Sequence, residues 1–157
     1  MKYNNILILS VSMVMFAIIT TVSCENNNSE NNLSDYNFRS INGDRVDLSK
    51  YRGKYSLLSF SFTRCPSICP MINKELVKLK NQFQDDINIV SINVDPDNDS
   101  PESLKKYMKD NGFDWDVLVG DIKEVDKVVN VMLARPDKKI SSPSDHLPNL
   151  YLMNKNF

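Results

Sequence analysis

From Tyr55 to Phe62 the chain reads Tyr-Ser-Leu-Leu-Ser-Phe-Ser-Phe, with no charged residue, and from Ile87 to Val94 apolar and polar side chains alternate. Both patterns predict strands, the first Leu- and Phe-rich and buried in a sheet, the second with the period of two that a pleated segment imposes. Trp115–Val119 and Leu150–Met153 are shorter runs of the same kind. Between them the period changes to about 3.6. Ile72, Leu76, Leu79 and Phe83 lay one apolar stripe along a helix over Met71–Phe83; Ile122, Val125, Val128, Val129 and Met132 do the same over Asp121–Leu133. A third helix starts from Ser100, a good N-cap, takes Pro101 as its first residue, runs to Asp110 and stops at Asn111-Gly112. Ahead of all these, Phe38–Leu48 holds Asn42-Gly43-Asp44 between short alternating segments, a hairpin signal, and Tyr51-Arg52-Gly53-Lys54 reads as a turn.

The predicted order is hairpin, strand, helix, strand, helix, strand, helix, strand. It argues an α/β domain with a mixed sheet over residues 35–157. A polar, proline-containing loop covers Arg135–Asp145. After the last strand the chain reads only Asn154-Lys155-Asn156-Phe157. No helix follows to cover and continue that strand, so the expectation is a chain truncated at its C-terminus.

The N-terminus has a different pattern. Lys2 precedes an uncharged apolar stretch of 17 residues, Ile6–Val22, which ends at Ser23-Cys24-Glu25. A positive start, an apolar run and a small residue before a cysteine describe an export signal over residues 1–23. In that reading Cys24 becomes the first mature residue and carries lipid, as in a bacterial lipoprotein. The other reading is an uncleaved anchor, at the short end of the ~17–25 residues that span a bilayer. Both place the remainder outside the cytoplasm and close to a membrane. Residues 24–34 are rich in Asn, Ser and Glu and read as a flexible tether.

Charge narrows the classes. Nineteen Lys and Arg face twenty Asp and Glu, so no basic surplus argues for nucleic acid. Cysteine usage narrows them further. Three cysteines in an exported chain leave an odd one. Lipidation of Cys24 would resolve this and leave one pair, Cys65 and Cys69.

That pair carries the chemistry. Cys65-Pro66-Ser67-Ile68-Cys69-Pro70 follows the first buried strand directly, so the strand delivers two thiols to the start of a helix. A helix N-terminus favours thiolate through its dipole and free N–H groups. A disulfide needs its sulfurs about 2 Å apart. Two metal–thiolate bonds of about 2.3 Å, at a wide angle, hold them on the order of 4 Å apart. A Cys-x-x-x-Cys loop is one residue longer than the Cys-x-x-Cys redox motif and can serve both states. A purely structural disulfide is the plainer alternative, but so short a loop closes little chain entropy. His146, the single histidine, heads the last strand, which can lie beside the cysteine strand. Two sulfurs and an imidazole suit a thiophilic metal such as Cu(I). The alternative for His146 is an ordinary hydrogen-bonded residue. Asp145 beside it reads either as an orienter of the ring or as a solvated loop acid. Asp95-Pro96-Asp97-Asn98-Asp99 loosely resembles a calcium loop but lacks the Gly and the terminal Glu, so it reads as a strand-to-helix turn and cap.

These residues carry a resemblance. Ser61-Phe62-Thr63-Arg64-Cys65-Pro66-Ser67-Ile68-Cys69-Pro70 resembles the hallmark of the SCO/SenC family. Asp95-Pro96-Asp97-Asn98-Asp99-Ser100-Pro101 resembles its second motif, with Ser100 where Thr is common. Asp145-His146, followed by Leu150-Tyr151-Leu152, resembles its third, and Leu48–Lys54 matches as well. The resemblance implies a thioredoxin-like fold anchored outside the cytoplasm, with copper, as Cu(I) or Cu(II), bound by Cys65, Cys69 and His146. It implies delivery of copper, or of reducing equivalents, to the binuclear copper site of cytochrome c oxidase subunit II or another cuproenzyme. A copper donor and a thiol reductant are then further partners. Two departures stand out: the short C-terminus, and Arg64, which precedes the first cysteine where an uncharged residue is frequent and would favour thiolate. Three hypotheses follow: a copper metallochaperone, a thiol–disulfide oxidoreductase working through Cys65 and Cys69, and a domain that only docks a partner. They separate on His146, which metal transfer needs and dithiol exchange does not.

Overall fold

The computed structural model describes residues 36–135, 143 and 146–156. The expectations for residues 1–34, Cys24 included, fall outside these residues, as does Asp145.

The hairpin forms as β1 (Phe38–Ser40) and β2 (Arg45–Val46), paired antiparallel. Gly43 takes φ 93° at its turn, a backbone conformation that glycine reaches without strain. There follow β3 (Tyr55–Ser61), α1 (Ile68–Phe83), β4 (Ile87–Asn93), α2 (Pro101–Asn111), β5 (Asp116–Val119), α3 (Ile122–Val131) and β6 (Leu150–Met153). The described strands form one sheet in the order β2-β1-β5-β4-β3-β6. Strands β3, β4 and β5 run parallel, and β1 and β6 join them antiparallel, on β5 and β3 respectively. The mixed α/β sheet expected from the pattern is therefore present.

Alternate residues of the parallel strands build two cores. Leu58, Phe60, Val90, Ile92 and Leu118 join Val125, Val128 and Val129 of α3 in one buried cluster. Full burial of a side chain of this size is worth roughly 1.5–3 kcal/mol. Val117, with Leu104 and Met108 of α2, forms a second cluster, against which Phe113 and Trp115 pack. The polar members of the strands are buried too. The hydroxyls of Ser59 and Ser91, side by side in register, share a hydrogen bond of 2.9 Å, and Trp115 Nε1 donates to Ser91 Oγ at 3.0 Å. The alternation in β4 thus does not mark a solvated face. Parallel strands are covered on both sides, and here small hydroxyls satisfy one another where helices pack.

Helix boundaries follow local chemistry. Ser100 caps α2 by accepting the Ser103 N–H at 3.2 Å, and Gly112 closes that helix in the left-handed conformation at φ 67°. Asp121 caps α3 through the Glu124 N–H at 2.9 Å. Helix α1 begins at Ile68, three residues before the sequence pattern predicts. Pro70 falls in its first turn, where a missing N–H costs no helical bond. Phe83, predicted on the apolar stripe, is 40% exposed because α1 ends at that residue, and Asn73 is buried instead.

Candidate thiol and metal site

β3 ends at Ser61, and a turn through Thr63 and Arg64 brings the chain to Cys65, whose N–H donates to the Phe62 carbonyl at 3.4 Å. Ser67 occupies the N-cap position of α1, yet its side chain caps nothing. The Cys65 sulfur does that work: the Cys69 N–H donates to Cys65 Sγ at 3.3 Å. A thiol two residues before the N-cap therefore accepts the first-turn N–H that Ser100 accepts in α2 and Asp121 in α3.

The two thiols are free, buried and unequal. Burial opposes thiolate at Cys65, but it is outweighed by hydrogen bonds from the Cys69 thiol and from the N–H groups of Cys69, Ser67 and Ile68, so Cys65 lies below the ordinary thiol range. Cys69 is pushed up to about 12, first by deeper burial and then by giving its S–H to Cys65. One thiolate and one thiol sharing a proton is the arrangement this geometry favours. Arg64, expected to favour thiolate, has its guanidinium 2.6 Å from the buried Asp95 carboxylate. The Cys69 thiol first, and then the N–H groups of the helix terminus, favour thiolate at Cys65.

His146 is buried against β3. Its ring packs edge-on to Phe60 and Phe62, with centroids 6.4 Å and 6.1 Å away. Nε2 faces the Phe60 carbonyl at 3.2 Å, and Nδ1 faces the Pro143 carbonyl. A neutral imidazole carries one N–H, so only one of these two contacts is a hydrogen bond in that form and the other nitrogen presents its lone pair to an oxygen. The structure thus brings Cys65 and Cys69 together and packs the His146 ring against the strand that leads to them. Among the described residues, no three His, Cys, Asp or Glu side chains are arranged to hold a metal ion.

The Asp95–Asp99 segment is the turn the sequence implies, with Ser100 as the cap. Its interior contacts were not legible. Asp95 and Asp99 are both buried and turned toward Arg64 and Thr63. Nor was the bond from the Asn73 side-chain amide to the Tyr107 hydroxyl, 3.2 Å, which ties α1 to α2 behind Cys69. Pairings between distant loops leave no local sequence signal. No described helix is long and apolar enough to cross a membrane.

A helix-flanked mixed sheet with a Cys-x-x-x-Cys pair where β3 enters α1 defines a thioredoxin-like thiol protein. The SCO1/SenC family model matches residues 25–157, and the chain belongs to that family. An SCO2-like protein of Rickettsia typhi is 37% identical over 124 residues, covering 73% of this chain and 61% of the relative. The chain spans about three fifths of the length of the Rickettsia relatives it matches. Among solved structures, Bradyrhizobium japonicum ScoI with copper bound superposes with a TM-score of 0.64 at 29% identity, covering 77% of this chain and 82% of ScoI. BsSco, described as having a disulfide switch and as a member of the Sco family of cytochrome c oxidase assembly proteins, gives 0.59 at 26% identity over 76% of this chain and 75% of its own.

Proposed function

We propose that this chain is a copper-binding assembly factor of the SCO1/SenC family, held to the outer side of a cytoplasmic membrane, that carries copper to the binuclear copper site of cytochrome c oxidase subunit II. The observation that carries the proposal is the Cys65–Cys69 pair, two sulfurs brought together at a helix N-terminus that stabilises one of them as thiolate. Thiolates are the ligands that select Cu(I). The copper-bound ScoI relative and the oxidase-assembly description of BsSco support the cargo and the destination. His146 is the third donor in this proposal. It would join the pair by turning from the Phe60 carbonyl, which a neutral ring can leave at the cost of one hydrogen bond at most. The 17 apolar residues before Cys24 support the membrane tether, by lipid or by helix.

An anaerobic Cu(I) titration of the reduced full chain against a competing chromophoric chelator tests this. One equivalent binds tightly to the wild type, His146→Ala weakens binding at least about tenfold, and Cys65→Ser removes competitive binding. Affinity retained in the Cys65→Ser/His146→Ala double variant would overturn the proposal.

The inequality of the thiols favours a second reading, dithiol exchange with a disulfide of the partner's copper site. The Cys65 thiolate attacks one partner sulfur, forming a mixed disulfide and releasing the other as thiolate. Cys69 then loses its proton and attacks Cys65 Sγ, forming the intrachain disulfide and leaving the partner reduced by two electrons. That activity survives His146→Ala, whereas copper delivery does not.

A further inference from the structure

Phe62, Thr63 and Arg64 separate β3 from the first cysteine, and the last two are held from the loop between β4 and α2. Asp99 is 3% exposed. Its Oδ2 accepts the Thr63 backbone N–H at 2.8 Å and the Asn93 side-chain amide at 2.7 Å, and its Oδ1 accepts the Thr63 hydroxyl. All three donors are neutral. Asp95, 4% exposed, accepts the Arg64 guanidinium at 2.6 Å and the Asn98 amide at 2.7 Å.

Burying a carboxylate is costly unless hydrogen bonds replace its water. Capping does not explain the cost at Asp99. Ser100 already caps α2, and the Asp99 side chain points to Thr63 in the cysteine turn, 36 residues away in sequence. Cys65 sits on that turn and Cys69 on the helix, so their separation is set by where the turn is held. Neither disulfide nor two-thiolate metal geometry tolerates much error there.

We propose that Asp99 is a positioning residue for the thiol pair: its carboxylate pins Thr63, and with it the place of the Cys65 sulfur over the first turn of α1, while Asp95 holds Arg64 as a second tie. The proposal rests on Cys65 and Cys69 being the working thiols.

Equilibration of the full chain in glutathione buffers tests it. The reaction is protein dithiol plus glutathione disulfide giving protein disulfide plus two glutathione thiols, with both protein thiol protons ending on glutathione. Its equilibrium constant is an effective concentration of one thiol at the other and reads their relative placement. Asp99→Ala lowers it about tenfold or more, and Asp99→Asn, which keeps an oxygen for the Thr63 N–H, restores it to within about threefold of wild type. Thr63→Val, which removes the hydroxyl tie, lowers it by about threefold. A folded Asp99→Ala variant with the wild-type constant overturns the proposal. If Asp99→Ala does not fold, Thr63→Val decides: a lowered constant supports the positioning role, an unchanged one overturns it. Wild-type protein that forms no Cys65–Cys69 disulfide at any glutathione ratio overturns the assignment of the working thiols, and this proposal with it.

Discussion

At Cys65 the Cys69 thiol and the N–H groups at the start of α1 outweigh its burial, and at Cys69 burial and the neighbouring sulfur act together. The two residues should therefore differ sharply toward an alkylating agent. In a Cys24→Ser background, iodoacetamide should react at neutral pH at least about tenfold faster with Cys65 alone (Cys69→Ser) than with Cys69 alone (Cys65→Ser). The Cys65 rate should level off below the pH at which ordinary thiols do, while the Cys69 rate should still be rising above about pH 10. Equal rates would show that the helix terminus does not distinguish the sulfurs. The pair and its place at a strand–helix junction were legible in the sequence. The asymmetry was not, because it depends on Ser67 failing to cap and on which sulfur is covered. His146 was legible as a candidate but its contacts were not, since both partners are backbone carbonyls of Phe60 and Pro143.

Helix caps decide how α1 differs from its neighbours. Ser100 in α2 accepts a backbone N–H, whereas Ser67 in α1 leaves that role to the Cys65 sulfur. Ser100→Ala should lower the unfolding free energy by about 1 kcal/mol, and Ser67→Ala should change it by less than about 0.5 kcal/mol, measured by denaturant titration of the reduced protein. Comparable losses at both positions would mean Ser67 caps α1 after all. The elements themselves were read well from period and punctuation: β6 matches its predicted span, and α2 stops at Gly112 as expected. The start of α1 was read three residues late, because its apolar stripe begins only at Ile72.

In the whole molecule the two thiols act on stability in opposite directions. Below the ordinary thiol value of about 9, the folded state of the reduced protein has released the Cys65 proton that the unfolded state still holds, so stability rises with pH. Between about 9 and about 12 the folded state keeps the Cys69 proton that the unfolded state has lost, and stability falls. The denaturation midpoint of the reduced chain, relative to a Cys65→Ser/Cys69→Ser variant, should pass through a maximum near pH 9; a difference that does not vary with pH would contradict the assigned shifts. Strand order was the part of the fold least available from sequence. Placing β1 on β5 depends on contacts between segments some 80 residues apart, which no local pattern encodes, whereas β6 lies beside β3 as expected for the strand that His146 heads.

The central claim is that Cys65 and Cys69 together hold copper. Copper K-edge absorption on the full chain loaded anaerobically with one equivalent of Cu(I) tests it most directly. The account predicts two sulfur neighbours at about 2.3 Å, falling to one in Cys69→Ser. A first shell of nitrogen or oxygen alone, unchanged in the Cys69→Ser variant, would contradict it.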